Sequence, residues 1–189
     1  MMSSSFSYVV GFDDFPFAHS TRGDVPIVGA VYSGSRLEGV LGGRVRRDGA
    51  NSTDRIAELV KGSKYGSSIQ LVLLQGIALG GFNVLDIHDL SERLGVPVLV
   101  VARRLPRMDA MKAALLTRVA GGERKWKLIE KAGAMEPVAG VWVQRSGISL
   151  EEAGAVIGRF AVHGVIPEPL RTAHLIAGGV ATGQSRGRT

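Results

Sequence analysis

The sequence predicts an α/β fold in which helices flank a mixed β-sheet. Three short β-rich runs joined by brief links open the chain, and they indicate an antiparallel meander. Two later runs, residues 69–74 and 97–102, are almost entirely apolar, as expected of strands with both sheet faces covered. Segments with apolar residues at helical spacing alternate with these runs, which is typical of parallel crossover units.

The first half of the chain carries the predicted meander and the first helix. Strands are predicted over residues 8–13 (YVVGFD) and 27–32 (IVGAVY), and a serine-glycine turn leads into a third, glycine-weakened strand over 36–46. Asn51 or Ser52 is expected to cap the helix that follows. We expect the strand that begins at Tyr8 to separate the rest of the meander from the strand over 69–74.

Helices and strands then alternate. After the apolar strand over 69–74, Asn83 and Asp86 are expected to cap and open a helix that ends at Gly95. The strand over 97–102 follows, and another amphipathic helix runs up to a pair of glycines.

The last third predicts a short amphipathic helix over 123–133, a strand over 137–144 and two further helices. The first of these two helices opens at a capping box formed by Ser149 and Glu152. A meander followed by parallel crossover units is the topology of a ribonuclease-H-like fold, which we therefore predict. We expect a single domain over residues 1–182 and a basic, flexible tail over 183–189.

Composition narrows the class of protein. Of 189 residues, 45% are hydrophobic and 21% are charged, which is typical of a globular protein. The absence of cysteine excludes disulfides and thiolate chemistry. No apolar run is long enough to span a membrane and no signal peptide is recognisable, so we expect a cytoplasmic location. The net charge of +6 fits either a nucleic-acid partner or a merely basic surface.

Several polar residues are candidate site residues, each with a structural alternative. Gln75 ends the apolar run LVLLQ, where an α/β fold usually carries its chemistry, but it also fits a strand-end amide satisfied by backbone. Asp13 and Asp14 are neighbours on a strand, so only one of them can face a shared site. Asp48, which precedes a glycine, fits a turn equally well. His174 is either a functional residue or a packed, hydrogen-bonded histidine.

Motifs along the whole chain resemble endonuclease V, a family that cleaves nucleic acid near deaminated bases. GISLEEAGAVIGRF followed by VIPEPLRTAHLIAGG is similar to the C-terminal end of that family. Upstream, VVGFD, the RDG of residues 47–49, LVLLQG and PVLVVAR resemble its metal-binding first strand, its Arg-Glu-Gly and two strand ends, in the same order. GFDD, GFNVLD and the Ser-Arg-Gly-Arg tail resemble more narrowly a mainly archaeal, endonuclease-V-like branch.

The resemblance implies a catalytic site formed by Asp13, Asp48, Gln75 and His174. Asp13 matches the family aspartate, Asp48 replaces its glutamate, Gln75 replaces its aspartate and His174 replaces an acidic residue of the last helix. Asp13, Asp48 and Gln75 would then hold Mg²⁺ or Mn²⁺, which activates water for attack on phosphorus. Because one carboxylate has become a neutral amide, the resemblance implies a weakened, one-metal site.

The chain also departs from the family pattern. Arg103 replaces the family lysine, the family histidine after the fourth strand has no counterpart, and GVLGG stands where a Pro-Tyr-x-Pro-Gly wedge is expected. We expect Arg46, Arg47, Arg103 and Arg104 to contact phosphates. Three functions stay open: a divalent-metal-dependent endonuclease acting on deaminated or structured DNA or RNA, a non-catalytic nucleic-acid-binding protein with a degenerate metal site, and an assembly protein.

Overall fold

A mixed sheet with helices on both faces forms the centre of the protein. The computed structural model describes residues 5–185, and over that range the chain forms nine strands and six helices. The strands are β1 (Tyr8–Asp14), β2 (Asp24–Ser33), β3 (Arg36–Arg46), β4 (Leu71–Gln75), β5 (Ala78–Leu79), β6 (Asn83–Val84), β7 (Val98–Ala102), β8 (Glu136–Val138) and β9 (Val141–Ser146). The helices are α1 (Ser52–Gly62), α2 (Ile87–Leu94), α3 (Met108–Arg118), α4 (Gly122–Ala132), α5 (Leu150–Phe160) and α6 (Glu168–Thr182).

The order of the main sheet is β3-β2-β1-β4-β7-β9-β8. β1, β2 and β3 pair antiparallel, whereas β1 with β4 and β4 with β7 pair parallel. The predicted meander, the parallel crossovers and the position of the Tyr8 strand are therefore confirmed. β9 returns antiparallel to β7 and closes the sheet together with β8.

Each face of the sheet buries its own hydrophobic layer, because side chains alternate along the strands. Val10, Phe12 and Leu74 point into a layer covered by α1, α2 and α4. Val9 and Leu71 point into the opposite layer, which α5 and α6 cover. We call these the α1 face and the α6 face.

Gly11 allows α6 to approach β1 closely. A Cβ atom at this position would lie 2.6 Å from the backbone carbon of Pro169, in the first turn of α6. No side chain larger than hydrogen fits at that distance. The close approach brings the next turn of α6, which carries His174, over the end of β1.

Three local predictions require correction, and two are confirmed. The single strand expected over 137–144 is a β8–β9 hairpin, broken at Ala139 and Gly140, both of which have positive φ. Asn51 is the N-cap residue of α1, but its side chain makes no capping hydrogen bond. The glycine-rich segment after β4 forms a small β5–β6 hairpin. Asn83 does not cap α2 but lies buried in a hydrogen-bond network with the β3–α1 connection. The Asp86 cap and the Ser149 capping box are present as expected.

The residues that follow α6 cap its C-terminal end. α6 ends at Gly183, which adopts the left-handed conformation, and Ser185 Oγ donates to the carbonyl of Leu175 at 2.6 Å. Residues 186–189, which make up most of the predicted basic tail, lie outside the described residues. Within residues 5–185, no helix is both long and apolar enough to cross a bilayer.

Candidate functional site

Asp13 lies at the carboxyl end of β1, on the α6 face, and its side chain is only 8% exposed. Its Oδ2 lies 3.0 Å from Nδ1 of His174, and its Oδ1 accepts from the backbone N–H of Asp14 at 2.9 Å. α6 therefore delivers His174 to a carboxylate 161 positions earlier in the chain. Sequence reasoning named both residues, and the fold joins them in one hydrogen bond.

Burial dominates the protonation of Asp13. Loss of water and, to a smaller extent, the nearby charge of Asp14 together raise the pKa of this carboxyl from 3.8 to about 6. The hydrogen bond with His174 opposes that effect because it favours the ionised carboxylate. A carboxyl with a raised pKa at the end of a parallel strand is typical of functional sites.

Gln75 is the neighbour of Asp13 across the parallel pair. The register pairs Phe12 with Leu74, so the next positions along, Asp13 and Gln75, are adjacent and share the α6 face. Among residues 5–185, the buried Oε1 of Gln75 has no hydrogen-bond partner. An unsatisfied buried acceptor is costly, and a donor or a cation would relieve that cost.

Asp14 and Asp48 belong to a second group, held together by the glycine-rich hairpin. Asp14 Oδ2 accepts from the N–H of Gly80 at 2.6 Å, and burial raises the pKa of the Asp14 carboxyl, an effect that this bond opposes. The N–H of Asp48 donates to the carbonyl of Gly80 at 2.9 Å, and Asp48 Oδ1 accepts from the N–H of Phe82 at 2.8 Å. Asp48 has a φ of 50°, which is unusual for a residue with a side chain.

The four predicted catalytic residues thus divide into two sets. Asp13, Gln75 and His174 share the α6 face, while the hydrogen bonds of Asp48 run to the hairpin and not to this set. Within residues 5–185, no group of three or more His, Asp or Glu side chains is placed to hold a metal ion. The metal-binding and catalytic roles of Asp13, Asp48, Gln75 and His174 stay predictions.

The four predicted phosphate-binding arginines also differ from one another. Arg46, Arg103 and Arg104 are exposed at the ends of β3 and β7. Arg47 instead turns into the β1–β2 loop, where its Nη1 donates to the carbonyls of His19 (2.5 Å) and Thr21, and its guanidinium lies 5.3 Å from the ring centre of Phe17. Arg47 therefore holds that loop, a role that its local sequence does not signal.

Sequence reasoning missed Lys125. This α4 residue is only 5% exposed, and its Nζ donates to the backbone carbonyl of Asp48. Burial lowers the pKa of Lys125, while the negative charge of Asp48 opposes that effect. A signal was present, because position 125 precedes Ile129 and Ala132 by four and seven residues and so lies on the apolar stripe of its helix.

Comparison with known proteins gives three findings. The family model described as endonuclease dU matches residues 6–181. A UPF0215 protein from Deinococcus radiodurans is 59% identical over 182 residues, which cover 96% of this chain and 93% of that protein. A protein of unknown function from Archaeoglobus fulgidus has a solved structure similar to this one, with a TM-score of 0.85, 32% identity, and coverage of 92% of this chain and 97% of that chain.

A more distant likeness concerns the fold alone. The structure of Ciona intestinalis endonuclease V in complex with a 24mer DNA containing an inosine has a TM-score of 0.55 and 18% identity to this chain. The match covers 88% of this chain and 82% of that one. The mixed sheet flanked by helices, which the order of strands and helices predicted as ribonuclease-H-like, is thus a fold shared with endonuclease V.

Proposed function

Because this chain belongs to the endonuclease dU family, we propose that it binds nucleic acid and hydrolyses a phosphodiester bond near a deaminated base. The observation that carries this proposal is the buried Asp13 carboxylate beside the unpartnered Gln75 Oε1. Both oxygens lie at the carboxyl ends of adjacent parallel strands, the edge at which α/β sheets usually bind ligands. The matching family is described by deoxyuridine, whose base is deaminated cytosine, so uracil-containing DNA is the first substrate to test.

The donor set on the α6 face fits one Mg²⁺ or Mn²⁺ ion. Asp13 supplies a carboxylate and Gln75 a neutral oxygen without a hydrogen bond, which matches the one or two carboxylates plus waters that Mg²⁺ accepts. His174 favours Mn²⁺ over Mg²⁺ because imidazole is the softer ligand. When bound, such an ion neutralises phosphate charge and acidifies water. The set does not fit two ions, because no third acidic or histidine side chain joins it within residues 5–185.

The residues of the chain contribute orientation and charge. The hydrogen bond from His174 fixes the Asp13 carboxylate, and the Asp14 N–H fixes its other oxygen. Arg104 follows β7, the neighbour of β4, and its exposed side chain supports a contact with the nucleic-acid backbone near that edge. The expected net effect is positioning of a phosphate against the Asp13 carboxylate.

A second candidate function is nucleic-acid binding without cleavage. It is favoured by the orientation of Asp48, whose carboxylate accepts from Phe82 and whose carbonyl accepts from Lys125. With Gln75 neutral and Asp48 committed to the hairpin, only Asp13 of the predicted ligands carries charge on the α6 face. A scaffold with this arrangement retains binding and lacks turnover.

A cleavage assay separates the two candidates. Deoxyuridine-containing, inosine-containing and ordinary oligonucleotides, single- and double-stranded, are incubated with Mg²⁺ and then with Mn²⁺. Wild-type protein and Asp13→Asn are compared with Glu92→Gln, a carboxylate-to-amide change at an exposed position of α2. Metal-dependent cleavage by wild type and Glu92→Gln, with none by Asp13→Asn, supports the nuclease. Binding by all three proteins without product supports the second candidate.

A further inference from the structure

A separate cavity lies on the α1 face of the sheet. Its volume is about 530 Å³, and it is bounded by the starts of α1 and α2 and by the α3–α4 turn. Asp48 lines it, but Asp13, Gln75 and His174 do not. The volume falls within the range of small-molecule sites, which is roughly 300–1,000 Å³.

Lys125 brings a buried positive charge to this cavity. The residue is 5% exposed, lines the cavity, and has one hydrogen bond, to the carbonyl of Asp48. Within residues 5–185 no carboxylate lies within 4 Å of its ammonium group, which has three N–H donors. Its one hydrogen bond goes to a neutral carbonyl, and the Asp48 carboxylate acts on the ammonium charge only from beyond 4 Å, so an anion in the cavity would satisfy the remaining N–H donors.

The N-terminus of α4 faces the same cavity. Gly121 precedes the helix in the left-handed conformation and offers no side-chain cap. The first i→i−4 hydrogen bond at this end of α4 runs from the N–H of Lys125 to the carbonyl of Gly121 at 3.1 Å. The N–H groups of Glu123 and Arg124 come before it and have no i−4 acceptor within the helix. A helical side chain leans toward its own N-terminus, which directs Lys125 to these amides.

Acidic residues at the far side of the cavity contact basic side chains that do not themselves line it. Asp54 and Asp89 both contact Arg93, at 2.6 Å and 3.4 Å, and Asp86 contacts Lys131 at 2.7 Å. Among the described residues that line the cavity, the cations are Arg46, Arg124 and Lys125. The remaining carboxylate of the lining, Asp48, lies 3.6 Å from Nε of Arg47. Because two of the three lining cations belong to α4, positive charge favours an anionic ligand at that end.

We propose that this cavity binds a phosphate monoester, with Lys125 Nζ and the N–H groups of Glu123 and Arg124 as donors and the Arg124 side chain at the rim. Helix N-termini and ammonium groups are common partners of phosphate oxygens. The phosphate comes either from the end of a nucleic-acid strand or from a free nucleotide. The site is distinct from the Asp13 site and does not depend on cleavage.

The test is a ¹H–¹⁵N NMR titration of the full chain with orthophosphate, a nucleoside 5′-monophosphate, and one oligonucleotide with either a 5′-phosphate or a 5′-hydroxyl. We expect saturable shifts at the amides of Glu123 and Arg124. Lys125→Met, which keeps the length of the side chain and removes its charge, should weaken binding at least about tenfold, as expected when a charge-assisted hydrogen bond is lost. Lys127→Met, at an exposed position of the same helix, should bind as wild type does.

A second variant tests the same site without changing Lys125, in case Lys125→Met does not fold. Ala120→Asp puts a carboxylate just ahead of α4, where it favours the helix electrostatically but competes with an incoming phosphate. It should fold and bind phosphate at least about tenfold more weakly. Preference for the 5′-phosphorylated strand over the 5′-hydroxyl strand assigns the source to strand ends, and equal shifts with the free nucleotide alone assign it to nucleotides.

The proposal is overturned if no phosphate compound shifts the α4 amides, or if Lys125→Met and Ala120→Asp both bind as tightly as wild type. Asp13→Asn distinguishes this outcome from failure of the proposed nuclease. It should retain phosphate binding whether or not the wild-type protein cleaves any substrate.

Discussion

Replacing Asp13 with asparagine tests the electrostatics of the candidate site directly. The folded protein holds the Asp13 proton with a pKa of about 6, against 3.8 for an unperturbed aspartate. The stabilisation from this proton is therefore fully present below pH 3.8 and is lost as the pH rises through about 6. Asparagine is neutral at every pH, so Asp13→Asn removes this dependence.

The size of the stability change in Asp13→Asn follows from the pKa of Asp13 and from its hydrogen bonds. The pKa of Asp13 is raised by about two units, and each unit corresponds to about 1.4 kcal/mol. The free-energy cost of the buried charge is therefore about 3 kcal/mol above pH 7. The side chain is 8% exposed, so solvent screening reduces this cost little. Asparagine has one oxygen and so loses one of the bonds to His174 and the Asp14 N–H, at about 1 kcal/mol. The variant should be about 2 kcal/mol more stable than wild type at pH 8 and about 1 kcal/mol less stable at pH 4.

Thermal unfolding followed by circular dichroism measures both values. In EDTA, Asp13→Asn should raise Tm by about 4–8 °C at pH 8 and lower it by about 2–4 °C at pH 4, given about 2–4 °C per kcal/mol for a chain of this size. Glu92→Gln serves as the control and should stay within about 0.5 kcal/mol of wild type at both pH values. With Mn²⁺ in place of EDTA at pH 8, the wild-type Tm should rise and that of Asp13→Asn should not.

The result that refutes this reasoning is a change in stability that is the same at pH 4 and pH 8. It would mean that Asp13 is solvated in the folded protein and titrates as an ordinary carboxyl. A Tm increase with Mn²⁺ of equal size in wild type and Asp13→Asn would separately remove Asp13 from the metal site.

Three other predictions concern the metal, the nucleic acid and the fold. Gln75→Asp should tighten Mn²⁺ binding in calorimetry and increase metal-dependent cleavage, because it adds a carboxylate. Asp13→Asn should abolish cleavage in either background. Unchanged Mn²⁺ affinity in Gln75→Asp contradicts the role of residue 75 as a metal ligand. The logarithm of nucleic-acid affinity should fall by about 0.7–0.9 per phosphate contact for each tenfold rise in salt. Arg104→Gln should reduce that slope by one contact, whereas Arg36→Gln, at the start of β3, should not; an unchanged slope for Arg104→Gln rules Arg104 out. Asn83→Ala should lower the free energy of unfolding in urea by about 2–4 kcal/mol, because four hydrogen bonds are lost in a buried network; a change below about 0.5 kcal/mol contradicts that role.

The local pattern of the sequence determined most of the fold. Alternating and continuous apolar runs predicted β1 to β4 and β7, and the Ser149 capping box and the Asp86 cap marked the starts of α5 and α2. These features depend on backbone hydrogen bonding and side-chain spacing among residues that are close in sequence. They can therefore be predicted without knowledge of distant partners. The family motifs added the pairing of Asp13 with the final helix, because His174 occupies a recognisable position in it.

The environment of the site was decided by tertiary structure. Nothing near Asp48 in the sequence indicates that its carbonyl meets Lys125, 77 positions away, or that Arg47 reaches back to Thr21. The same holds for Asn83, which resembles a cap until the β3–α1 connection surrounds it. Spacing along the chain determines which face of an element a side chain lies on, but only the packing of remote elements determines which charges lose water and which donors find an acceptor.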